Sequence, residues 1–414
     1  MAPTSAPAGA RRDTTLDVLR TLATLGVVAT HARWLAHVPS GRTSSWWDAM
    51  HASLWQGTRT TVYLFFALSG FLIARPYVGA LLDGTALPSP RAYGLRRLAR
   101  IVPAWWVAFT AFLVLGFGPA SHLLSVVDHY LLIHNEVPGD AGTMLPVAWT
   151  LGIEASFYLA VPVVAALVRR LTPNPVAVRR LLAGLGGLTL GSAVVHAAVF
   201  TRSGPTGWDT VAQYSLPAQF LFFAPGVALA VAEHGRPPVE LARPARVVGA
   251  GVAAVAWFGC MYLFGVSTGP VAFSSFGFAL VSGLIVWLAR RSPAPRSAVG
   301  RAAVWLGTIS YGLYLWHWIV MRAIYGVWGA AFAGTGTVSW PLATLVVFGL
   351  TVPVAAASWY LLERPLMGLA ARHVRPSAAG PRAVAGGSGA VSPTTLPATP
   401  GRPTGLLPVA NGDV

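Results

Sequence analysis

A histidine and a glutamate stand inside two apolar segments of this chain, where ionisable side chains are rare. His31 ends the segment Leu16–His31, and Glu154 lies within the segment Trp149–Tyr158. An ionisable group in a membrane span is costly and usually faces the interior of the helix bundle. An imidazole exchanges a proton near neutral pH, and a carboxylate can orient it and stabilise its charged form. These residue types therefore indicate proton transfer to or from a hydroxyl group.

The depth of the two side chains in their segments suggests that they meet. If both segments are α-helices, His31 lies roughly 16 Å beyond Arg20 along the axis, and Glu154 lies about two turns from the outer end of its own helix. The two helices run in opposite directions. A contact between His31 and Glu154 is therefore predicted, with His31 as the base. The alternative for Glu154 is a structural ion pair.

Two groups of charged residues lie toward the cytoplasmic ends of their segments. Asp17 and Arg20 are three residues apart and share a helix face. A simple ion pair at the start of the helix is the alternative to a functional role. Arg97 and Arg100 also share a face, and planar guanidinium groups suit phosphate. They could equally be determinants of topology or anchors for lipid headgroups.

Smaller polar residues mark two further segments. Ser69 and Gly70 lie in the middle of the second apolar segment. Ser69 could be a nucleophile, or it could bond to a carbonyl of its own helix. Gly70 permits close approach of another backbone or of a ligand chain. Tyr311, Tyr314 and Trp318 recur at helical spacing in the ninth segment, where an aromatic belt at the membrane interface is the alternative for the tryptophans.

The composition indicates that these segments span a membrane. The chain has 414 residues, of which 55% are hydrophobic and only 10% charged, whereas soluble domains carry about 25% charged residues. We predict an all-α membrane protein with about ten transmembrane helices in one bundle. The first two spans hold Gly and polar residues and should face protein rather than lipid. The predicted spans lie near 14–36, 59–82, 101–120, 146–168, 181–201, 214–233, 247–265, 270–289, 302–323 and 339–362.

The net charge is +16. Its positive charges all come from arginine, because the sequence contains no lysine. These arginines concentrate in alternate loops, which predicts that both termini are cytoplasmic and argues against nucleic acid as a partner. We predict a disordered segment at 1–13, the membrane domain at 14–370 and a disordered cytoplasmic tail at 371–414. Cys260 is the single cysteine, and no histidine spacing suggests zinc, so no metal site is predicted.

Five motifs, in order, resemble the acyltransferase 3 family of integral membrane acyltransferases, which modify sugars and natural products. The resemblance covers roughly residues 13–370. The motifs are Asp-x-x-Arg leading to His31, Phe-Phe-x-x-Ser-Gly-Phe around Ser69, Arg-Arg-x-x-Arg-Ile-x-Pro around Arg100, Trp-x-Leu-x-x-Glu-x-x-Phe-Tyr around Glu154, and Ile-Ser-Tyr-x-x-Tyr-Leu-x-His around Tyr311. Thr150 stands where family members usually have serine, which keeps a hydroxyl group.

The resemblance implies a ten-helix core, an acyl-coenzyme A donor on the cytoplasmic side and an essential histidine on the first span. His31 becomes the candidate base, and Glu154 its partner or a second acid. Acetyl is the default acyl group, and no cofactor is expected to stay bound. The candidates for binding the donor or substrate, or for holding the site, are Arg20, Ser69, Gly70, Arg97, Arg100 and Tyr311.

The sequence therefore predicts a multi-pass protein of the plasma membrane that transfers an acyl group from a thioester to a hydroxyl. A cell-surface polysaccharide, a lipid-linked sugar and a glycosylated natural product all remain as acceptors. One rival is a transporter or flippase for a glycan or lipid intermediate, which would use the same intramembrane charges as a substrate path. Another is a membrane scaffold without chemistry.

Overall fold

The computed structural model describes residues 13–36, 60–117, 123–200, 207–236, 238–266, 271–333 and 339–374. Within these ranges the chain is helical and forms no β-strand. The predicted segment 1–13 and tail 371–414 lie almost wholly outside the described residues. The helices are α1 Thr14–Ala36, α2 Val62–Leu82, α3 Pro90–Val114, α4 Leu123–Tyr130, α5 Ala148–Leu171, α6 Val178–Phe200, α7 Gly207–Gln213, α8 Leu216–Ala232, α9 Arg243–Val266, α10 Val271–Arg290, α11 Ala298–Thr308, α12 Ser310–Ala333, α13 Trp340–Ser358 and α14 Arg364–Val374.

A multi-pass membrane protein is the architecture that these helices indicate. In the described part, seven helical stretches are long and apolar enough to cross a bilayer: Val62–Leu82, Pro90–Val114, Ala148–Leu171, Val178–Phe200, Gly207–Ala232, Arg243–Tyr262 and Trp340–Val374. Every predicted span overlaps a helix. The count of ten spans and the side on which each terminus lies stay predictions.

Two predicted spans are interrupted. The ninth divides at Ile309, whose φ of −95° and ψ of 9° separate α11 from α12. The break lies beside Gly307, which presses against the backbone of Asp17 so closely that a side chain at position 307 would overlap it. The tenth ends in a π-helical turn, Trp359–Glu363, before α14. Single π turns inside helices are frequent at functional sites.

Helix α1 is held against three helices from the C-terminal part of the chain. It packs on α11, α12 and α13, and also on α2. The Thr21 hydroxyl donates to the carbonyl of Ala303 over 2.6 Å, and the Trp340 indole donates to the carbonyl of Ala29 over 2.6 Å. Each bond fixes one end of α1. Arg20 and His31 therefore occupy fixed positions relative to α12.

A cluster of charges ties the start of α1 to the ends of α8 and α10. Arg290 contacts both Asp13 and Glu233, and Arg291 lies 2.7 Å from the Glu233 carboxylate. Glu233 and Arg290 are largely buried. Because removing one member of a buried ion pair leaves an uncompensated charge, this cluster constrains where the first helix begins.

Candidate active site

One small cavity collects most of the predicted site residues. Its volume is about 100 Å³, and its walls come from α1, α2, α3, α5 and α12. Pockets that hold drug-sized ligands measure about 300–1,000 Å³, so this cavity has room for a thin chain or a two-carbon acyl group rather than a nucleotide. The predicted residues that line it are Arg20, Ser69, Arg97, Arg100, Glu154 and Tyr311.

Glu154 is the hydrogen-bond acceptor at the centre of this cavity. The Ser69 hydroxyl donates to one carboxylate oxygen over 2.8 Å, and the Tyr158 hydroxyl donates to the other over 2.7 Å. Each oxygen of this carboxylate therefore accepts a hydrogen bond from one hydroxyl group. Ser69 thus bonds to a different helix, and the alternative that it bonds to its own helix is wrong.

The predicted contact between Glu154 and His31 is also wrong. Both Glu154 oxygens are engaged by Ser69 and Tyr158, and no hydrogen bond or ion pair joins Glu154 to His31 in the described part of the chain. The rise per residue gives the depth of a side chain but not the direction in which it leaves its helix. Glu154 points toward α2, on which α5 packs.

The three arginines of the cavity differ in how their charges are balanced. Arg20 lies 2.8 Å from Asp17, which is 1% exposed. The predicted ion pair on α1 is therefore present. Neither Arg97 nor Arg100 forms an ion pair with a carboxylate among the described residues. Their two charges leave this wall of the cavity positive, which suits an anionic ligand.

Aromatic rings and a thioether surround these two arginines. The Arg97 guanidinium lies over the Tyr93 ring at 5.7 Å and over the Tyr158 ring at 5.4 Å. Such cation–π contacts hold a guanidinium plane without neutralising it. Arg100 reaches toward the sulfur of Met367 on α14, at 4.0 Å. The two charges at this end of the cavity are therefore held in place by contacts other than ion pairs with carboxylates.

His31 pairs with a second histidine, His317 on α12. The distance between His31 Nδ1 and His317 Nε2 is 2.8 Å, and the two rings lie edge to edge with centroids 5.0 Å apart and an interplanar angle of 18°. The Trp318 ring meets His31 edge-on, also at 5.0 Å. The imidazole of the predicted base is therefore held by α12, and an imidazole takes the place that the sequence assigned to a carboxylate.

Tyr314 connects the histidine pair to the cavity. Its ring lines the cavity, and its backbone carbonyl lies 2.6 Å from His317 Nδ1. Its hydroxyl is 2.6 Å from the Thr150 hydroxyl and donates to the Val147 carbonyl over 3.1 Å. Tyr314 thus contacts both the arginine-lined cavity and the pair of imidazoles.

The spacing of residues along α12 indicates that His317 faces the bundle interior. Tyr311, Tyr314 and His317 follow at intervals of three residues, which keeps them on one side of α12. Tyr311 lines the cavity, and its hydroxyl donates to the Ile101 carbonyl on α3 over 2.8 Å. A face that turns two tyrosines toward a polar cavity turns the following histidine inward as well.

Gly70 belongs to helix packing and not to the cavity. A Cβ at this position would overlap the backbone carbonyl of Phe223 on α8. No ligand chain can therefore run past Gly70 on that side, and its assignment as a donor-binding residue is corrected. Its effect on the site is indirect, because it sets the position of the neighbouring Ser69.

Two histidines between α3 and α5 are buried. His129 and His134 stack with ring centroids 4.2 Å apart, and both are fully enclosed. His37, His51 and His122 lie outside the described residues. No group of three or more His, Cys, Asp or Glu side chains in the described ranges could hold a metal ion. The absence of a metal site stays a prediction.

We expect His134 to make the folded protein sensitive to acid. Burial lowers the pKa of His134 to about 3, whereas an exposed histidine titrates near 6.5. The unfolded chain therefore binds a proton that the folded chain does not, and the stabilisation present above about pH 6.5 is lost as the pH falls toward 3.

The melting temperature of the detergent-solubilised protein should drop between pH 7 and pH 5. His134→Leu should reduce that drop, and the exposed His373→Leu should not. Equal pH dependence in the wild type and His134→Leu would contradict this.

Comparison with known proteins gives the family. The model of the acyltransferase 3 family, described as an acyltransferase domain, matches residues 13–360. Nodulation protein 10 of Rhizobium leguminosarum bv. viciae is 25% identical over 382 residues, which are 85% of this chain and 93% of that protein. BcsY of Komagataeibacter xylinus is 27% identical over 384 residues, which are 86% of this chain and 83% of that protein.

A third relative is the peptidoglycan O-acetyltransferase OatA of Listeria monocytogenes serovar 1/2a, 25% identical over 329 residues. These residues are 74% of this chain and 49% of OatA, so the chain matches about half of that protein. No solved structure matches. The family match spans most of the chain and contains the cavity and the histidine pair. The chain therefore belongs to the acyltransferase 3 family and is a membrane acyltransferase.

Proposed function

We propose that this protein is an O-acyltransferase of the plasma membrane that moves an acyl group, by default acetyl, from acyl-coenzyme A to a hydroxyl. The acceptor is a sugar, a polysaccharide or a glycosylated natural product. One observation carries the proposal. Six residues chosen for their chemistry, on five helices, line a single cavity, and the candidate base lies farther along one of those helices.

The charge of the cavity supports a phosphate-bearing donor. Arg97 and Arg100 lie on α3 and lack carboxylate partners within the described ranges. The cavity itself, at about 100 Å³, is too small for a nucleotide. The phosphates of coenzyme A would therefore stay at the arginine end, and only the thin pantetheine arm and its acyl group would enter the bundle.

His31 supplies the proton transfer in this proposal. The imidazole takes the proton of the acceptor hydroxyl while the hydroxyl oxygen attacks the thioester carbonyl. The new carbon–oxygen bond forms, the carbon–sulfur bond breaks, and its electron pair leaves with sulfur. The proton returns from the imidazolium to sulfur, so that coenzyme A leaves as the thiol. With the N-terminus in the cytoplasm, as the arginine distribution predicts, His31 lies toward the outer end of α1, which favours an acceptor that arrives from outside.

The choice of a carbohydrate acceptor rests on similarity. OatA is named for the O-acetylation of peptidoglycan, which is a glycan polymer. Nothing comparable favours the flippase, because a flippase needs no base and no donor site. Transfer can be measured as label passing from [¹⁴C]acetyl-coenzyme A to glycans and glycosides extracted from cells that express the protein.

Binding of coenzyme A is the sharpest test against a flippase. At about 100 times its dissociation constant, a ligand stabilises a protein by about 2.7 kcal/mol. We expect coenzyme A to raise the melting temperature of the purified wild type and to have little effect on Arg97→Ala/Arg100→Ala. Arg96→Ala is the matched control, because Arg96 is exposed and lies beside Arg97 without lining the cavity. A wild type that coenzyme A does not stabilise would contradict the donor and favour the flippase.

A further inference from the structure

The tautomers of the two paired histidines follow from one carbonyl group. His317 is fully buried, and its Nδ1 lies 2.6 Å from the backbone carbonyl oxygen of Tyr314. A carbonyl oxygen only accepts hydrogen bonds, so the Nδ1 of His317 must carry a proton. The opposite nitrogen of the same ring, Nε2, faces His31 Nδ1 at 2.8 Å.

The His317 ring is neutral, so its Nε2 is an acceptor. A proton on Nε2 as well as on Nδ1 would make a buried imidazolium, and no carboxylate lies within 4.0 Å of His317 in the described part of the molecule. A buried charge without a partner is strongly disfavoured. His317 Nε2 therefore accepts the hydrogen bond, and His31 donates it from Nδ1. In neutral His31 the basic lone pair then lies on Nε2.

We infer that His317 is the positioning residue of the acyl transfer, holding His31 in the tautomer whose Nε2 takes the proton of the acceptor hydroxyl. This inference rests on the proposed function. It gives a neutral imidazole the role that a carboxylate has in a Ser-His-Asp triad, namely to fix the tautomer and orientation of the base. The proton in the hydrogen bond between the two histidines stays on His31 Nδ1 throughout the reaction. Only His31 Nε2 gains a proton, and it later gives that proton up.

The surroundings of the pair restrict other arrangements. The Trp318 ring stands edge-on to the His31 ring, so a flip of that ring would have to displace a buried indole. Tyr314, whose carbonyl anchors His317, is itself held by its bonds to Thr150 and Val147. The anchor of His317 is thus part of the cavity wall, which couples the direction of the base to the site that receives the donor.

Two substitutions separate the anchor from the contact with the base. His317→Gln places its amide oxygen near the position of Nε2, where it can accept from His31 Nδ1. His317→Asn places its amide near the position of Nδ1, where it can donate to the Tyr314 carbonyl but cannot reach His31. Neither replacement side chain extends farther than histidine does, and each keeps one of the two polar contacts of His317.

We expect His317→Gln to retain most of the turnover rate and His317→Asn to lose about 100-fold or more of kcat. KM for acetyl-coenzyme A should stay unchanged in both, because neither His31 nor His317 lines the donor cavity. Turnover is measured as transfer from [¹⁴C]acetyl-coenzyme A, with coenzyme A-dependent thermal stabilisation as the check of folding. Equal kcat values for the two variants would overturn the inference, as would a loss that appears in KM alone.

A measurement on the wild type keeps the inference testable if a variant does not fold. Nitrogen-15 spectra of histidine-labelled protein distinguish protonated from unprotonated ring nitrogens, and subtraction of the His31→Ala spectrum identifies the His31 signals. We expect His31 and His317 both to carry their proton on Nδ1. A His31 proton on Nε2 would overturn the inference. A failure of the proposed function would give a different result from a failure of this inference: His31→Ala would transfer acyl groups as fast as the wild type.

Discussion

Replacing His31 with alanine will reduce acyl transfer by about 10²–10⁴-fold, the usual contribution of a general base. In activation free energy this is about 3–5 kcal/mol. The fold should be kept, because α1 retains its bonds through Thr21 and Ala29. Stability should fall by about 1–3 kcal/mol, because the buried Nε2 of His317 loses its hydrogen-bond partner. The loss should therefore appear in turnover, while coenzyme A still stabilises the variant, because His31 does not line the donor cavity.

The measurement is ester-linked acetate, released by mild alkali from the glycans and glycosides of cells that express each variant. Membrane insertion is checked by the amount of protein in washed membranes. His373→Ala is the matched control, since His373 is exposed on α14 and bonds only to the Leu369 carbonyl of its own helix. If His31→Ala transfers acetate at the rate of the control, His31 is not the base.

The convergence of the site residues could be predicted from the sequence because lipid surrounds the helices. A hydroxyl or an ionised group in an apolar helix avoids lipid and turns toward the bundle interior. Ser69 and Glu154 therefore meet although 85 residues separate them. The same argument brings Arg20, Arg100 and Tyr311 to one cavity. It needs only the positions of the spans, which the lengths of the apolar runs supply.

The partners within the site could not be predicted in this way. Glu154 and His31 lie at similar estimated depths, but rotation and tilt of a helix decide which neighbour a side chain meets. Apolar periodicity does not help, because lipid and protein core are both apolar and all faces of a span look alike. The packing of α1 on α11, α12 and α13 brings His317 to His31, and that packing depends on long-range contacts such as that of Gly307 with Asp17.

The closest helix contact in the bundle leads to a prediction about folding. Helices α2 and α8 pack extensively, and each presents a glycine to the backbone of the other. A Cβ at Gly226 would overlap the carbonyl of Ala67 and lie 2.6 Å from the Phe71 nitrogen, and a Cβ at Gly70 would overlap the carbonyl of Phe223. Backbone atoms in helices cannot move aside as a flexible side chain can, so the helices would have to separate. Small residues at such crossings are what allow helices to approach closely in membranes.

Gly226→Ala should therefore destabilise the protein by about 3 kcal/mol or more, at the upper end of the typical range for overpacked cores. It should also lower activity, because α2 carries Ser69 and any separation of α2 from α8 shifts the hydroxyl relative to Glu154.

Gly251→Ala on α9 is the matched control, since nothing lies within 4 Å of its Cβ position. There alanine should be neutral or stabilising by up to about 1 kcal/mol, because it favours helix more than glycine does. Melting curves of the three purified proteins in one detergent give the comparison. Opposite signs for the two substitutions are expected, and equal melting temperatures for Gly226→Ala and the wild type would show that α2 and α8 do not meet backbone to backbone.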